Sequence, residues 1–257
     1  MKPFDCHTHL YDDAFSKDFD EVLQRAKKVL SGIIVVGEGP ESNRRVLALC
    51  KAHKGFLFPG LAIQPDQVHL LTDAEIDAEI NFIKKQKNLV CIGECGLDYL
   101  WAEKSGKPEE TKQRQQETFE KLIKLADEMG LPLNIHSRRA TKPVVETLEK
   151  LKPKRAILHG WSGTIDETKR AVKLGYKIAI ATNIFYSPEK LEYIKHLPLL
   201  DLVLETDSPV LAAVKGERNE PANITLVVKE IAKIKNMPEK EVISATNNNI
   251  KDYLNIF

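Results

Sequence analysis

The feature that most constrains this chain is an alternation of two kinds of segment. Short β-branched or apolar runs recur along its length, and longer stretches of helical periodicity fill the intervals. The short runs are Lys2–Cys6, Gly32–Gly37, Phe56–Ile63, Leu89–Glu94, Leu131–His136, Arg155–His159, Tyr176–Ala181 and Leu202–Thr206. Between them, Phe19–Leu30 sets Phe19, Val22, Leu23, Ala26 and Leu30 on one stripe. Thr111–Met129 does the same with Phe119, Leu122, Ile123, Ala126 and Met129. Spacings of three and four residues give a helix one apolar face. Thr72-Asp73-Ala74-Glu75 reads as a helix start, and Ser187-Pro188-Glu189 as an N-cap followed by proline at the first helical position. Two more helices, Ile224–Lys235 and Pro238–Tyr253, are expected to close an outer ring. Alternation of this kind predicts parallel strands joined by helical crossovers. Eight such units in 257 residues predict an α/β chain folded as one (β/α)8 TIM barrel, a single domain over residues 1–257. A doubly wound open sheet is the alternative. No GxGxxG or GxxxxGK[ST] follows any strand, so nucleotide-binding folds lose their support.

The net charge is +1, too small for a global field that would draw in nucleic acid or an anionic membrane. Any nucleic-acid contact must come from local basic groups. No run is long and apolar enough to span a bilayer, and the N-terminus lacks a signal-peptide pattern. The expectation is a soluble, cytoplasmic protein with no membrane partner. Oligomeric state is not fixed, and a monomer suffices. Cys6, Cys50, Cys91 and Cys95 form no CxxC pair and read as reduced, buried thiols. Cys6 and Cys95 adjoin His7 and Glu94, and are expected to point away from any site those residues form.

A barrel carries its chemistry where strands end, on the C-terminal face. The residues found there are His7 and His9, Glu94, His136, His159 and Asp207. In Asp5-Cys6-His7-Thr8-His9 the two imidazoles share one strand face, roughly 6.5–7 Å apart at their Cα atoms, close enough to grip one metal ion. Of the seven histidines only His53, His69 and His196 lie away from strand ends. Imidazoles and carboxylates together suit zinc, manganese or iron, and a bridging carboxylate also admits magnesium.

The segments DCHTHL (from Asp5), GECGLDY (from Gly93), NIHSR (from Asn134), LHGWSG (from Leu158) and LETDSP (from Leu204), with Arg218-Asn219-Glu220-Pro221, resemble the TatD family of metal-dependent hydrolases, within the amidohydrolase-like barrels. The resemblance implies two divalent ions, Zn2+, Mn2+ or Mg2+. His7, His9, Glu94 and Asp207 would hold one, and Glu94, His136 and His159 the other, with Glu94 bridging. It also implies a deoxyribonuclease, working 3′-to-5′ or at damaged sites, so DNA is the expected substrate. Water activated by the two ions would attack phosphorus, with Glu94 and Asp207 as the catalytic carboxylates and Asp207 as general base.

Candidates for substrate contact are thinner. Arg138, Arg139 and Lys142 follow the fifth strand, and Lys215 and Arg218 the eighth. Trp161 is expected either to stack on a base or to wall the pocket. Glu205 shares the face of Asp207, and is expected to hold a ligand in place or to bind substrate. Gln64, in Ala62-Ile63-Gln64-Pro65, stands where the family usually has the histidine of G-x-H-P. The altered pocket wall keeps two alternatives open: hydrolysis of another ester or an amide, and a non-catalytic metal-binding barrel.

Overall fold

Eight strands, all parallel, lie side by side in chain order. In sequence the elements are β1 (Phe4–Thr8), α1 (Phe19–Val29), β2 (Gly32–Val36), α2 (Pro40–Ala52), β3 (Leu57–Leu61), α3 (Asp73–Lys84), β4 (Cys91–Asp98), α4 (Tyr99–Lys104), α5 (Pro108–Met129), β5 (Leu133–Arg138), α6 (Thr141–Leu151), β6 (Ala156–Leu158), α7 (Ile165–Lys173), β7 (Lys177–Ile180), α8 (Pro188–His196), β8 (Leu202–Leu204), α9 (Ile224–Lys235) and α10 (Glu239–Leu254). The computed structural model describes residues 1–254, and positions 255–257 of the expected unit lie outside the described residues. The first and last strands meet through a parallel bridge between Thr8 and Ser208. The Asp207 N–H donates to His7 O at 3.0 Å, and the His9 N–H to Ser208 O at 2.8 Å. The predicted TIM barrel is therefore observed, and the open sheet is not.

Strands covered on both faces read as unbroken apolar runs. Gly-Ile-Ile-Val-Val of β2, buried throughout, shows why. Ile33 and Val35 pack outward with the helical stripes, including Val22, Leu23 and Ala26 of α1. Ile34 and Val36 join Phe4, Cys6, Cys91, Ile157, Ala179 and Val203 in a separate interior cluster. Ile250, Tyr253 and Leu254 of α10 belong to that same cluster. This corrects one expectation: α9 packs in the ring beside α8, but α10 plugs the floor of the barrel. Its polar side chains explain the placement. Asn247 donates to Lys2 O at 2.8 Å, and Asn249 to Leu199 O and Leu202 O at 2.7 Å, satisfying carbonyls at the starts of β1 and β8.

Local signals mostly hold. Thr72 and Glu75 cap α3 reciprocally, Glu75 accepting from the Thr72 N–H at 2.7 Å. Pro188 opens α8, although Ser187 makes no side-chain cap. Strand ends shift by a few residues from expectation, most consequentially at β4 and β8. β4 does not stop at Glu94 but runs on to Asp98, because a register shift after Ile92 lets Cys95 to Asp98 keep pairing with β5. Gly96, at φ +138°, allows this: a Cβ there would lie 2.0 Å from His136 O. β8 stops at Leu204, so Asp207 is carried by a loop residue at φ 56°. All four cysteines are free and buried, as expected. Cys95 lies in the helix-facing layer, but Cys6 lies in the interior cluster. A register shift of β1 against β2 between Asp5 and Thr8 lets Cys6 stay inside beneath the site instead of turning away from it. Among the described residues, no helix is long and apolar enough to cross a membrane.

Candidate metal centre

The six strand-end residues meet at the C-terminal mouth. His7 Nε2 and His9 Nε2 are 3.2 Å apart. His7 Nε2 lies 3.5 Å from Glu94 Oε2 and 3.6 Å from Asp207 Oδ1; for His9 Nε2 the same distances are 3.3 and 3.4 Å. The other Glu94 oxygen, Oε1, is 2.7 Å from His136 Nδ1 and 3.6 Å from His159 Nε2. His159 Nε2 is also 3.8 Å from Asp207 Oδ2. Glu94 thus turns one oxygen toward each histidine pair.

Two of these carboxylate oxygens, Glu94 Oε2 and Asp207 Oδ1, are buried without a hydrogen-bond partner. A buried carboxylate oxygen left bare is costly, and a cation relieves it. Within this cluster, His7, Glu94 and His159 offer ligand atoms within 4.8 Å of one another, as do His7, His9 and Asp207, and also His9, Glu38 and Glu94. The donor set of imidazole and carboxylate fits divalent ions of the transition type. His136 stands outside all three triplets and reaches the cluster through Glu94 Oε1.

Outer hydrogen bonds fix how the rings present themselves. Asn134 Nδ2 donates to Cys6 O at 2.9 Å, so its Oδ1 faces His7 Nδ1 at 2.8 Å and places the ring proton there. His159 Nδ1 is 3.0 Å from Glu205 Oε2, whose partner oxygen accepts the Gly160 N–H at 2.8 Å. His136 Nε2 is 3.1 Å from Asp98 Oδ2, which also accepts Arg138 Nε at 2.7 Å. Asp5 ties the mouth together from behind, accepting from the Thr206 N–H at 3.0 Å and its hydroxyl at 2.6 Å. Burial pushes the Asp5 carboxyl well above the usual carboxylate range.

The ionisations reflect mutual dependence. Burial opposes charge on Glu94, but the neighbouring imidazoles of His136, His7 and His9 prevail and hold it well below its ordinary value. Asp207 is likewise held low, burial being outweighed by the imidazoles of His159 and His9. Burial disfavours protonated His136, yet Asp98 and Glu94 push it up to about 10. His9 and His159 are raised for the same reason, by Asp207 and Glu94 in one case and chiefly by Glu205 in the other. Without an ion, protons take the positions a cation would neutralise.

A cleft of about 400 Å3 opens above these groups, lined by His9, Glu38, Gln64, Glu94, His136, Arg138, His159 and Asp207. Gln64 Oε1 is buried there without a partner. Arg138 reaches the cleft, but Arg139 pairs with Glu103, Lys142 with Glu146 and Arg218 with Asp18, while Lys215 is exposed. None of those four lines the cleft. Glu205 is fully buried behind His159, so of its two expected roles it fills the supporting one. Trp161 corrects both of its expected roles. It is wholly buried in the barrel–helix core, donating to Thr168 Oγ1 at 2.8 Å, with no face open to a base or to the cleft. Gly160, at φ 53°, turns the chain inward just after His159.

Sequence reasoning missed Asn134, Asp98, Tyr11 and Glu38. Asn134 carried a usable signal, a polar residue two before His136 in an apolar run and therefore on its face. Glu38, between two glycines after β2, carried none.

A closed parallel barrel with four imidazoles and two carboxylates clustered at its mouth defines a metal-dependent hydrolase of the TIM-barrel type. The family model for TatD related DNase matches residues 4–255. The chain therefore belongs to the TatD family. It is 33% identical over 253 residues to the deoxyribonuclease TATDN3 of Homo sapiens, covering 95% of this chain and 92% of that protein. It is 35% identical over 244 residues to the uncharacterized metal-dependent hydrolase MJ1582 of Methanocaldococcus jannaschii, covering 94% and 92%. Among solved structures, YjjV, a TatD homolog from Escherichia coli K12, superposes with a TM-score of 0.89 at 29% identity, covering 99% of this chain and 98% of that one.

Proposed function

We propose that this chain is a divalent-metal-dependent deoxyribonuclease that cleaves phosphodiesters of DNA, from a 3′ end or at damaged sites. The observation that carries the reading is the pair of bare, buried oxygens, Glu94 Oε2 and Asp207 Oδ1, facing imidazole nitrogens within 3.6 Å. His7, His9, Glu94, His136, His159 and Asp207 would hold divalent ions there, which when bound would supply an acidified water and neutralise charge on the phosphate. Glu94 has one oxygen for each half of the site, which lets a single side chain set the spacing of a pair. Asp207 accepts the proton of the attacking water and returns it to the leaving oxygen. Arg138, on the cleft wall, meets a phosphate oxygen of the substrate. Glu205 keeps the His159 ring turned into the site. Support for DNA comes from the named activity of the human relative.

One observation favours a second reading, hydrolysis of a smaller ester or an amide. The cleft wall offers acceptors, Gln64 and Glu38, and Arg138, the one arginine or lysine lining it among the described residues, is already paired with Asp98. Purified protein supplied with Mn2+, Mg2+ or Zn2+ should shorten 3′-labelled single-stranded oligonucleotides or nick a duplex at abasic positions. Turnover of small esters or amides with DNA left intact would replace the first reading by the second.

A further inference from the structure

Three of the four ligand imidazoles have their far nitrogen held by a polar side chain at 2.8 to 3.1 Å: His7 by Asn134, His159 by Glu205 and His136 by Asp98. The far nitrogen of His9 is Nδ1. It lies 3.4 Å from Tyr11 Oη and 4.0 Å from Glu38 Oε2, and the Tyr11 hydroxyl itself donates to Glu38 Oε2. Glu38 is placed by its own backbone, donating its N–H to Ser42 Oγ at 2.8 Å and accepting the Gln64 N–H at 2.8 Å.

We propose that Tyr11 and Glu38 form the outer hydrogen-bond chain of His9, and that this chain sets the affinity for the ion on the His7–His9 side. The proposal rests on the metal-site reading above. The chain runs from His9 Nδ1–H to Tyr11 Oη, and from the Tyr11 hydroxyl to the Glu38 carboxylate. It keeps the ring proton on Nδ1 and leaves the Nε2 lone pair facing Glu94 and Asp207. The carboxylate polarises the tyrosine oxygen, which makes His9 a stronger donor through Nε2. The partners of the other three rings are sealed in the core, whereas the Glu38 side chain is 32% exposed and lines the cleft. Tyr11 and Glu38 are positioning residues, acting through His9.

The test titrates metal-free protein with Mn2+ by calorimetry and resolves two sites, in the wild type and in Tyr11→Phe, Glu38→Gln and Glu38→Ala. One site should weaken roughly 10–100-fold in Tyr11→Phe and Glu38→Ala, with the other unchanged and the thermal midpoint of the metal-free protein preserved. If Glu38→Ala fails to fold, Glu38→Gln, which conserves shape, is read for the same loss at one site. Two sites of wild-type strength in the variants would overturn the proposal while leaving the metal reading intact. Equal weakening of both sites with a lowered midpoint would also overturn it, as a disturbed fold. Wild-type protein that binds no Mn2+ would remove the metal reading and this proposal together.

Discussion

Asp207 stands beyond the end of β8, on a loop residue at φ 56°, with one carboxylate oxygen bare and the other 3.8 Å from His159 Nε2. On the proposed reading, that one side chain would both touch an ion and take a proton. Replacing it by asparagine preserves an oxygen but not the basicity. Asp207→Asn should retain at least one ion by elemental analysis and lose activity by roughly 10²–10⁴-fold; near-normal turnover with full metal content would remove Asp207 from the proton path. Glu205 acts one step further out. Glu205→Gln removes the charge behind His159, and metal affinity should drop roughly 10–100-fold in a chelator competition. Unchanged affinity would mean the His159 ring is held by packing alone. At this scale the candidate ligands were readable, because each is a polar residue within or just beyond an apolar run. Their outer partners were less so: Glu38 and His9 are far apart in the chain and meet only once β1 and β2 pair.

Among the elements, the turn after β6 is the most instructive. His159 faces the mouth while Trp161, two residues on, is buried in the core, because the turn at Gly160, at φ 53°, breaks strand alternation between them. Residue spacing alone does not disclose that turn, and the expectation that Trp161 stacks on a base or walls the pocket fails there. Its burial predicts a stability phenotype. Trp161→Ala should cost about 3–5 kcal/mol in denaturant unfolding, with binding of DNA by the folded fraction little changed. A variant of normal stability that had lost DNA binding would return Trp161 to the cleft. The same limit explains β4. The register shift after Ile92 depends on pairing with β5 and on room for Gly96 beside His136, neither of which a single segment discloses.

For the whole molecule, the cluster couples stability to pH and metal. Without metal, protonated His9, His136 and His159 stabilise the fold below the ordinary histidine value near 6.5, and that contribution is lost as pH rises, through about 10 for His136. Glu94, Glu205 and Asp207, held low, contribute above their ordinary values of 4.5, 4.5 and 3.8 and lose that only as pH falls through their lowered values. The metal-free thermal midpoint should therefore peak in mildly acidic solution and decline toward alkaline pH. Divalent ions, competing with protons for the same nitrogens, should abolish that decline; a midpoint indifferent to pH and to metal would contradict the coupling. The sequence by itself determined the barrel and which six polar residues gather at its mouth, because periodicity and the placement of residues at strand ends are local properties written in short segments. Only the tertiary structure decided that α10 plugs the floor, that Trp161 belongs to the core, and that Tyr11 and Glu38 stand behind His9. Those outcomes depend on which surfaces meet when the barrel closes, and contacts between distant segments leave no periodic trace along the chain.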